Sequence, residues 1–338
     1  MDTIKTVFII GPQHYDYSVA AIIQGLNKVD GVRVFSNSEH NHCMGFATQL
    51  ATQVELCRMA DVVMLAHSAL EPKYMQSVQP LLSQVKPDVF LDGSDYSEYE
   101  ANPKDYRLYL KRELDPTQRP IEDNVEPFIF AAEDRFFIYT TPWSHALGRV
   151  WDNENAVTPA DIHKSVWEQK TQKLACIMTA CDKRPWRFNV LNKLNECYED
   201  DEKAFVGELR TGDTHDGLDT GERHFSGYFA KLFDSKISVD SWGCGAARQT
   251  GRFWESLANG CLVFYQPIKP YIWTNTFIEG EHFVVYNSAD ELVDKLKYYE
   301  ENDDEARQIA EKGFCQLVAH HTTLERSNEF LSLCKQYL

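Results

Sequence analysis

The feature that most constrains the fold is the alternation of short apolar runs with stretches of helical periodicity along most of the sequence. In the first half, apolar runs at 6–10, 32–35, 61–65 and 88–91 are typical of buried strands, and amphipathic segments separate them. The alternation resumes later, with strand-like runs at 174–179, 204–208, 235–239, 261–265 and 282–286. Because parallel strands require long crossover connections, usually helices, this order predicts an α/β protein built from Rossmann-like parallel sheets.

The alternation breaks at residues 96–170, where acidic, proline and aromatic residues dominate. A length of 338 residues also fits two domains, since one domain usually contains about 100–200 residues. We therefore expect a first Rossmann-like domain at residues 1–135, a connector at 136–172 and a second Rossmann-like domain at 173–322. The amphipathic segment 323–338 is expected to form a final helix.

The charge of the chain bears on its partners. The sequence contains 51 acidic and 34 basic residues, and its formal net charge is -17. Such an excess repels phosphate backbones and anionic lipid surfaces, so it disfavours general binding to nucleic acids or membranes. A local basic pocket for one phosphate group remains compatible with this charge.

The cysteines and the hydropathy pattern bear on the compartment. The nine cysteines include no Cys-x-x-Cys pair, and several lie in apolar runs such as LACIMTA and NGCLVFY. This pattern predicts reduced core thiols rather than disulfides or a zinc site. No apolar stretch approaches the roughly 20 residues of a membrane-spanning helix. We therefore expect a soluble, cytoplasmic protein with no membrane span.

The segment 235–265, SKISVDSWGCGAARQTGRFWESLANGCLVFY, combines a strand, a loop containing glycines and the start of a helix. Backbone N–H groups at a helix start attract anions, and the planar guanidinium groups of Arg248 and Arg252 suit a diphosphate. Glu255 lies on about the same helix face as Arg252, where its carboxylate could accept hydrogen bonds from ribose hydroxyls. An ordinary helix ion pair between Arg252 and Glu255 is the alternative. The candidate nucleotide-binding residues of the segment are Trp242, Gly243, Arg248, Gly251, Arg252 and Glu255.

The run GRFWESLANGCLVF resembles the donor-site motif of GT-B glycosyltransferases, in which an Arg, an aromatic residue and a Glu precede a turn and a buried strand. The sequence from FIEGEHFVVY to AEKGF is similar to the spore-maturation-protein-like group within glycosyltransferase family 1. This resemblance covers residues 235–329. It implies two Rossmann-like domains facing across a cleft, with a nucleotide-sugar donor on the second domain and an acceptor on the first.

Weaker similarities extend the resemblance towards the N-terminus. LYLKREL, together with PFIFAAEDRFF, resembles a linker region of the same group, and LACIMTACDKRPWRFNVLNKL resembles the first strand and phosphate loop of the donor domain. The second similarity implies that Lys183, Arg184 and Arg187 meet the donor diphosphate. The resemblance also implies that the last helix crosses back to brace the first domain.

Metal and cofactor requirements follow from the same comparison. GT-A enzymes hold a divalent metal with an Asp-x-Asp motif, and this sequence contains no such triplet. The absence favours the GT-B solution, in which cations and helix dipoles stabilise the leaving diphosphate. We therefore expect no metal site and no cofactor, with the nucleotide-sugar as co-substrate.

A general base for the acceptor hydroxyl is expected at the carboxyl ends of the strands of the first domain, where open α/β sheets bind ligands. Three loops qualify by position, at 11–17, 66–68 and 92–96. Asp92, Asp95 and His14 are the candidates if the reaction inverts the anomeric carbon, and no such base is needed if it retains configuration. Turn or helix-cap roles are the alternatives for the two aspartates.

Two other functions use the same donor motif. A nucleotide-sugar epimerase would need a cluster of catalytic carboxylates and histidines, and a non-catalytic nucleotide-sugar-binding protein would need neither base nor acceptor. For the transferase, the acceptor remains open among a glycan, a protein, a small molecule and a modified base of phage-type DNA. The acidic net charge disfavours the DNA alternative.

Overall fold

The computed structural model describes residues 4–39, 43, 45–117, 121–137, 158–178, 184–208, 227–243, 249–269 and 276–338. These residues form two compact units. The first unit contains the described residues up to Glu133 and the segment His320–Leu338. The second contains the described residues between Asp134 and Ala319.

The first unit is built on a six-stranded sheet in which every neighbouring pair is parallel. Its strands are β1 Thr6–Ile10, β2 Arg33–Ser36, β3 Val62–Ala66, β4 Val89–Asp92, β5 Leu108–Lys111 and β6 Val125–Pro127. The spatial order is β2-β1-β3-β4-β5-β6. The connections therefore reverse direction between β1 and β3, which is the kind of position where open sheets bind ligands.

Three helices cross between the early strands: α1 Tyr17–Leu26, α2 Leu50–Met59 and α3 Pro72–Leu82. The start of α1 is fixed by Asp16, whose carboxylate accepts hydrogen bonds from the N–H groups of Ser18 and Val19 at 2.8 and 3.1 Å. These bonds satisfy donors that the first helical turn leaves unpaired. The cap therefore fixes the end of the loop that follows β1 at the carboxyl edge of the sheet.

The interpretation of LYLKREL as part of a linker is wrong. Its residues Leu108–Lys111 form β5, a fully buried strand between β4 and β6. The Lys111 ammonium lies 2.9 Å from the Asp92 carboxylate, and the Arg112 guanidinium lies 3.1 Å from that of Glu113. These ion pairs allow charges that are typical of an exposed linker to lie inside the unit.

The second unit contains a five-stranded parallel sheet with the order β11-β10-β9-β7-β8. Its strands are β7 Gln172–Met178, β8 Ala204–Glu208, β9 Ser235–Val239, β10 Leu262–Tyr265 and β11 Val284–Val285. Its helices are α4 Pro159–Gln169, α5 Pro185–Tyr198, α6 Gly227–Asp234, α7 Gly251–Ala258, α8 Ala289–Glu301 and α9 Asp303–His320. Two parallel sheets flanked by helices confirm the predicted α/β class.

The last helix, α10 at Thr323–Tyr337, belongs to the first unit and packs against α1. The Ser327 hydroxyl donates to the Ile22 carbonyl at 3.0 Å. A Cβ added at Gly25 would lie 1.9 Å from the Thr323 carbonyl oxygen, so only glycine permits this close approach. Phe330, Leu331 and Cys334 complete a core that β1, β3 and β4 share.

The described helices and cysteines bear on two predictions from the sequence. In the part of the chain that the structure describes, no helix is long and apolar enough to cross a membrane. The seven described cysteines are all free, and five of them are buried, which agrees with the prediction of core thiols.

Candidate functional site

The second sheet reverses the direction of its connections between β7 and β9, because the chain passes from β7 outward to β8 and then across to β9 and β10. The crevice at the carboxyl ends of two such strands is a favoured ligand site. Asp240, Ser241 and Trp242 follow β9 at this point. Helix α7 begins nearby, since the N–H of its N-cap residue Thr250 donates to the Tyr265 hydroxyl at 3.0 Å.

Asp240 is the centre of this crevice. It is 1% exposed, and its Oδ1 lies 3.5 Å from Nη1 of Arg252 and 3.9 Å from Nη2 of Arg187. Its Oδ2 accepts a hydrogen bond from the Thr250 hydroxyl. One buried carboxylate therefore holds two guanidinium groups and the start of α7.

The interaction between Asp240 and Arg252 is not a closed hydrogen bond. Oδ1 of Asp240 and Nη1 of Arg252 are both buried, and neither has a hydrogen-bond partner among the described residues. Burial opposes the charge of Arg252, but nearby Asp240 and Glu255 outweigh this effect and hold its pKa above the ordinary value. Buried polar atoms that lack a hydrogen bond are costly, and they are typical of functional sites.

Glu255 lies one turn into α7 and is 4% exposed. The Tyr228 hydroxyl, from α6, donates to Oε2 of Glu255 at 2.7 Å. Burial raises the pKa of Glu255, while the Tyr228 hydrogen bond and the Arg252 charge act in the opposite direction. Tyr228 thus fixes the orientation of a carboxylate at the mouth of α7.

Arg187 holds the loop after β9. It is 2% exposed, its Nε donates to the Ser241 hydroxyl at 3.0 Å, and its Nη2 donates to the carbonyls of Ser241 and Trp242 at 2.9 and 2.7 Å. Trp242 is anchored in turn, because its indole N–H donates to the Pro267 carbonyl at 2.8 Å. In this geometry Arg187 positions the backbone of the crevice.

The other residues predicted for this site have simpler placements. Gly243 is buried beside Trp242, and Arg184 is half-buried immediately before α5. Gly251 is the first residue of α7, and a Cβ added there would come no closer than 3.8 Å to Glu255, an ordinary contact. Lys183 and Arg248 lie outside the described residues.

The first unit has its own crevice between β1 and β3. The Ser68 hydroxyl, after β3, donates to the carboxylate of Asp16, after β1. The ring of His14 stacks on that of Tyr74, with centroids 4.6 Å apart and an interplanar angle of 14°. Two of the three loops that were predicted from sequence, at 11–17 and 66–68, therefore meet here.

The two predicted aspartates lie in ion pairs. Asp92 is fully buried, and it accepts hydrogen bonds from the Tyr109 hydroxyl, the Ser94 N–H and the Lys111 ammonium. Although burial alone would raise its pKa, Lys111 and the hydrogen bonds hold the pKa below the ordinary value. Asp95 is half-exposed and forms a salt bridge with Arg112.

Sequence reasoning missed Asp240, Thr250 and Tyr228. Asp240 had a usable signal, because a polar residue directly after a buried strand faces the carboxyl edge of a parallel sheet. Tyr228 had none, since it lies 27 residues before Glu255 in the chain. Over the described ranges, no group of three or more His, Cys, Asp or Glu side chains is arranged to hold a metal ion.

Comparison with known families gives one match. Residues 229–332 match the model of a family described as glycosyl transferase-like. The matched region contains Asp240, Arg252 and Glu255. Comparison with curated proteins gives no match.

Comparison with solved structures gives matches over nearly the whole chain. A glycosyltransferase from Rickettsia africae has a TM-score of 0.56 and 11% identity, covering 100% of this chain and 99% of that one. Anabaena HepE, solved with UDP-glucose, has a TM-score of 0.55 and 8% identity, covering 98% of this chain and 100% of that one. An α-glucosyltransferase solved with UDP-glucose and DNA containing an abasic site has a TM-score of 0.59 and 8% identity, with 98% of both chains covered.

At these identities the structures establish the fold alone, and the family match is limited to residues 229–332. The two findings confirm the resemblance to GT-B glycosyltransferases, while the narrower likeness to the spore-maturation-protein-like group stays a prediction. The chain therefore has the GT-B fold, and residues 229–332 match a glycosyl transferase-like family.

Proposed function

We propose that the chain transfers a glycosyl group from a nucleotide-sugar donor to an acceptor hydroxyl, with the donor bound at the carboxyl edge of the second sheet. The observation that carries the proposal is the cluster of Asp240, Arg252 and Glu255 at the mouth of α7, in which both carboxylates are buried. The cluster lies within the residues that match the glycosyl transferase-like family. HepE and the α-glucosyltransferase, which share the fold, were solved with UDP-glucose.

The second unit stabilises the leaving group in this proposal. A bond forms between the acceptor oxygen and the anomeric carbon, while the bond from that carbon to the diphosphate oxygen breaks and the nucleoside diphosphate leaves with the electron pair. Arg252 and the N–H groups at the start of α7 offset the charge that develops on this diphosphate. Asp240 holds Arg252 and the start of α7, and Arg187 holds the loop after β9.

Glu255 binds the ribose of the donor in this proposal. Its carboxylate, oriented by the Tyr228 hydroxyl at 2.7 Å, accepts hydrogen bonds from the ribose hydroxyls. A buried carboxylate that is fixed before the ligand arrives costs less ordering on binding. This assignment makes the interaction depend on ionised Glu255.

The first unit binds the acceptor in this proposal. His14 is the preferred base for an inverting reaction, because its ring lies half-buried at the crevice between β1 and β3. Asp92 is enclosed by its ion pair with Lys111, and Asp95 is held by Arg112. The proton of the acceptor hydroxyl then passes to the imidazole of His14.

The proposal also keeps a cytoplasmic location and a reaction that needs no metal. The free cysteines, such as Cys57 and Cys176, agree with a reducing compartment. Activity that survives EDTA treatment is the expected result for metal independence.

The test is a thermal-shift screen of the purified chain with UDP, GDP, ADP, CMP and their common sugars, in EDTA. A ligand of the native state raises the melting temperature as its concentration rises. We expect one nucleotide to stabilise the wild type, and Arg252→Ala or Glu255→Gln to abolish the shift. Arg307→Ala is the matched control, because Arg307 lies in the same unit but forms its salt bridge within α9, with Glu311 at 2.9 Å. Absence of any shift at millimolar nucleotide would contradict the proposal.

A further inference from the structure

Exposed aromatic side chains concentrate at one edge of the first unit. Among the described residues, five aromatic side chains are exposed: Tyr17, Phe46, Tyr96, Phe188 and Tyr298. Tyr17 follows β1, Phe46 forms a bridge with the last residue of β2, and Tyr96 follows β4. Because the carboxyl ends of parallel strands share one edge, these three rings surround the edge that holds the crevice between β1 and β3.

We call these three residues, Tyr17, Phe46 and Tyr96, the aromatic rim. The backbone of Phe46 is held in place by hydrogen bonds on both sides. Backbone hydrogen bonds from Ser36 to Gly45 at 3.2 Å and from Ala47 to Ser36 at 2.9 Å fix its position, yet its side chain is 45% exposed. A Cβ added at Gly45 would lie 2.6 Å from the Val34 carbonyl oxygen, so the turn that presents Phe46 requires glycine.

An open cavity of about 340 Å³ lies beside Phe46. Hydroxyl and amide side chains line it together with the ring, namely Thr48, Gln49 and Thr52. Ligand sites of about 300–1,000 Å³ commonly combine an apolar ring with a few polar groups in this way. The cavity thus offers a stacking face together with neutral hydrogen-bonding groups.

The charges at this edge are acidic or already paired. Asp16 and Glu133 supply carboxylates, with Asp16 bonded to Ser68 and Glu133 to the Tyr15 hydroxyl. The cationic side chains form salt bridges, with Lys73 to Glu71 at 3.1 Å, Lys111 to Asp92 at 2.9 Å and Arg112 to Asp95. Nucleic acids bind mainly through cations that contact phosphates. The described edge therefore suits an uncharged ligand better than a polyanion.

We infer that the acceptor is an uncharged saccharide whose sugar rings stack on the aromatic rim at Phe46 and Tyr96. This inference rests on the proposed function, because it names the acceptor class of the same reaction. The C–H faces of a pyranose ring are apolar and pack against aromatic faces, while its hydroxyls bond to groups such as Thr48, Gln49 and Thr52. The rim binds the chain of the acceptor and leaves its reacting hydroxyl to the crevice.

The experiment measures ligand binding to the full chain without nucleotide, by saturation-transfer NMR. The probes are maltose, cellobiose, chitobiose and a single-stranded and a double-stranded DNA 12-mer. We expect at least one disaccharide to bind, and Phe46→Ala or Tyr96→Ala to weaken it about five-fold, the loss of one stacking contact. Tyr298→Ala is the matched control, since Tyr298 is similarly exposed (48%) but lies on α8 of the second unit.

The outcomes separate this inference from the proposed function. Equal binding by Phe46→Ala, Tyr96→Ala and wild type, or binding of DNA without any disaccharide, would overturn the aromatic rim as a saccharide site. Both rim variants are exposed substitutions, so unchanged melting temperatures are expected and verify that they fold. Nucleotide stabilisation, measured in the same variants, stays at the wild-type value if only the acceptor site is altered. If the wild type itself binds no nucleotide, the result contradicts the proposed function instead.

Discussion

The two sheets each bury a carboxylate at their carboxyl edge, and the two carboxylates differ in how they are satisfied. Asp92, at the end of β4, accepts from Lys111, Tyr109 and Ser94 within a closed network. Asp240, after β9, faces the guanidinium of Arg252 at 3.5 Å, and its Oδ1 has no hydrogen-bond partner among the described residues.

The contrast indicates different roles for similar chemistry. A closed network of buried charges orders the structure around it and leaves no atom for a ligand. An open one keeps donors and acceptors whose satisfaction depends on something else, which is typical of a functional site. We therefore expect perturbations of Asp92 to change the stability of the first unit, and perturbations of Asp240 to change ligand binding by the second.

The largest expected effect tests the closed network. Lys111→Met leaves the Asp92 carboxylate buried without its cation, so the free energy of unfolding of the first unit should fall by about 3–5 kcal/mol. Urea unfolding, followed by circular dichroism, measures this change. If the variant does not fold, the double variant Asp92→Asn with Lys111→Met should recover most of the loss, because it removes both charges. A single variant as stable as wild type would contradict the closed network.

The next effect tests the open network. Asp240→Asn removes the negative charge between Arg187 and Arg252, so the two guanidinium groups repel and Arg252 loses its position. We expect the nucleotide dissociation constant to rise about ten-fold, equivalent to about 1.4 kcal/mol. Isothermal titration with the stabilising nucleotide measures it. Tighter binding in this variant would show instead that Asp240 only neutralises Arg252.

A smaller effect concerns the pH dependence of nucleotide binding at the carboxyl edge of the second sheet. Burial raises the pKa of Glu255 above 4.5, and the Tyr228 hydrogen bond opposes that rise. Because the proposed ribose contact requires the ionised carboxylate, nucleotide binding should strengthen as pH increases through the pKa of Glu255. Tyr228→Phe removes the opposing bond, so the midpoint should move to higher pH, with a loss at neutral pH of about 0.5–1.5 kcal/mol. An unchanged pH profile would rule out this role of Tyr228.

The smallest effect is expected for the exposed salt bridge between Asp95 and Arg112, at the carboxyl edge of the first sheet. The Asp95 side chain is 48% exposed, so its salt bridge with Arg112 is screened by water. Asp95→Asn should change the free energy of unfolding by less than about 1 kcal/mol. The same variant tests catalysis, because transferase activity should persist if His14 rather than Asp95 is the base. Loss of activity at wild-type stability would return Asp95 to the catalytic role.

The sequence predicted the elements whose signals are local. In the run SKISV, Ile237 and Val239 alternate with polar residues, and β9 occupies Ser235–Val239 as predicted. Helix α7 likewise begins at Gly251 and ends at Ala258, where its periodicity placed it. Strand β5 was missed because Lys111 and its charged neighbours resemble a surface segment. Their burial depends on Asp92, which lies far away in the chain.

For the candidate site, too, the sequence predicted only the contacts between residues that are close in the chain. Arg252 and Glu255 share one helix face and one turn, so their spacing placed them together. Asp240 and Tyr228 reach them only through the packing of β9 and α6 around α7. The role of Arg187 could not be predicted either, because its partners are the backbone carbonyls of a loop on another strand.

The position of α10 has a consequence for the synthesis of the chain. The core of the first unit includes Phe330, Leu331 and Cys334, which the ribosome adds after every residue of the second unit. Domains generally fold in the order in which they are made. Here β1 to β6 are made first, but the core that they share is complete only when α10 has been added. A chain that ends before Thr323 would contain every residue of the second unit but would lack part of the core of the first.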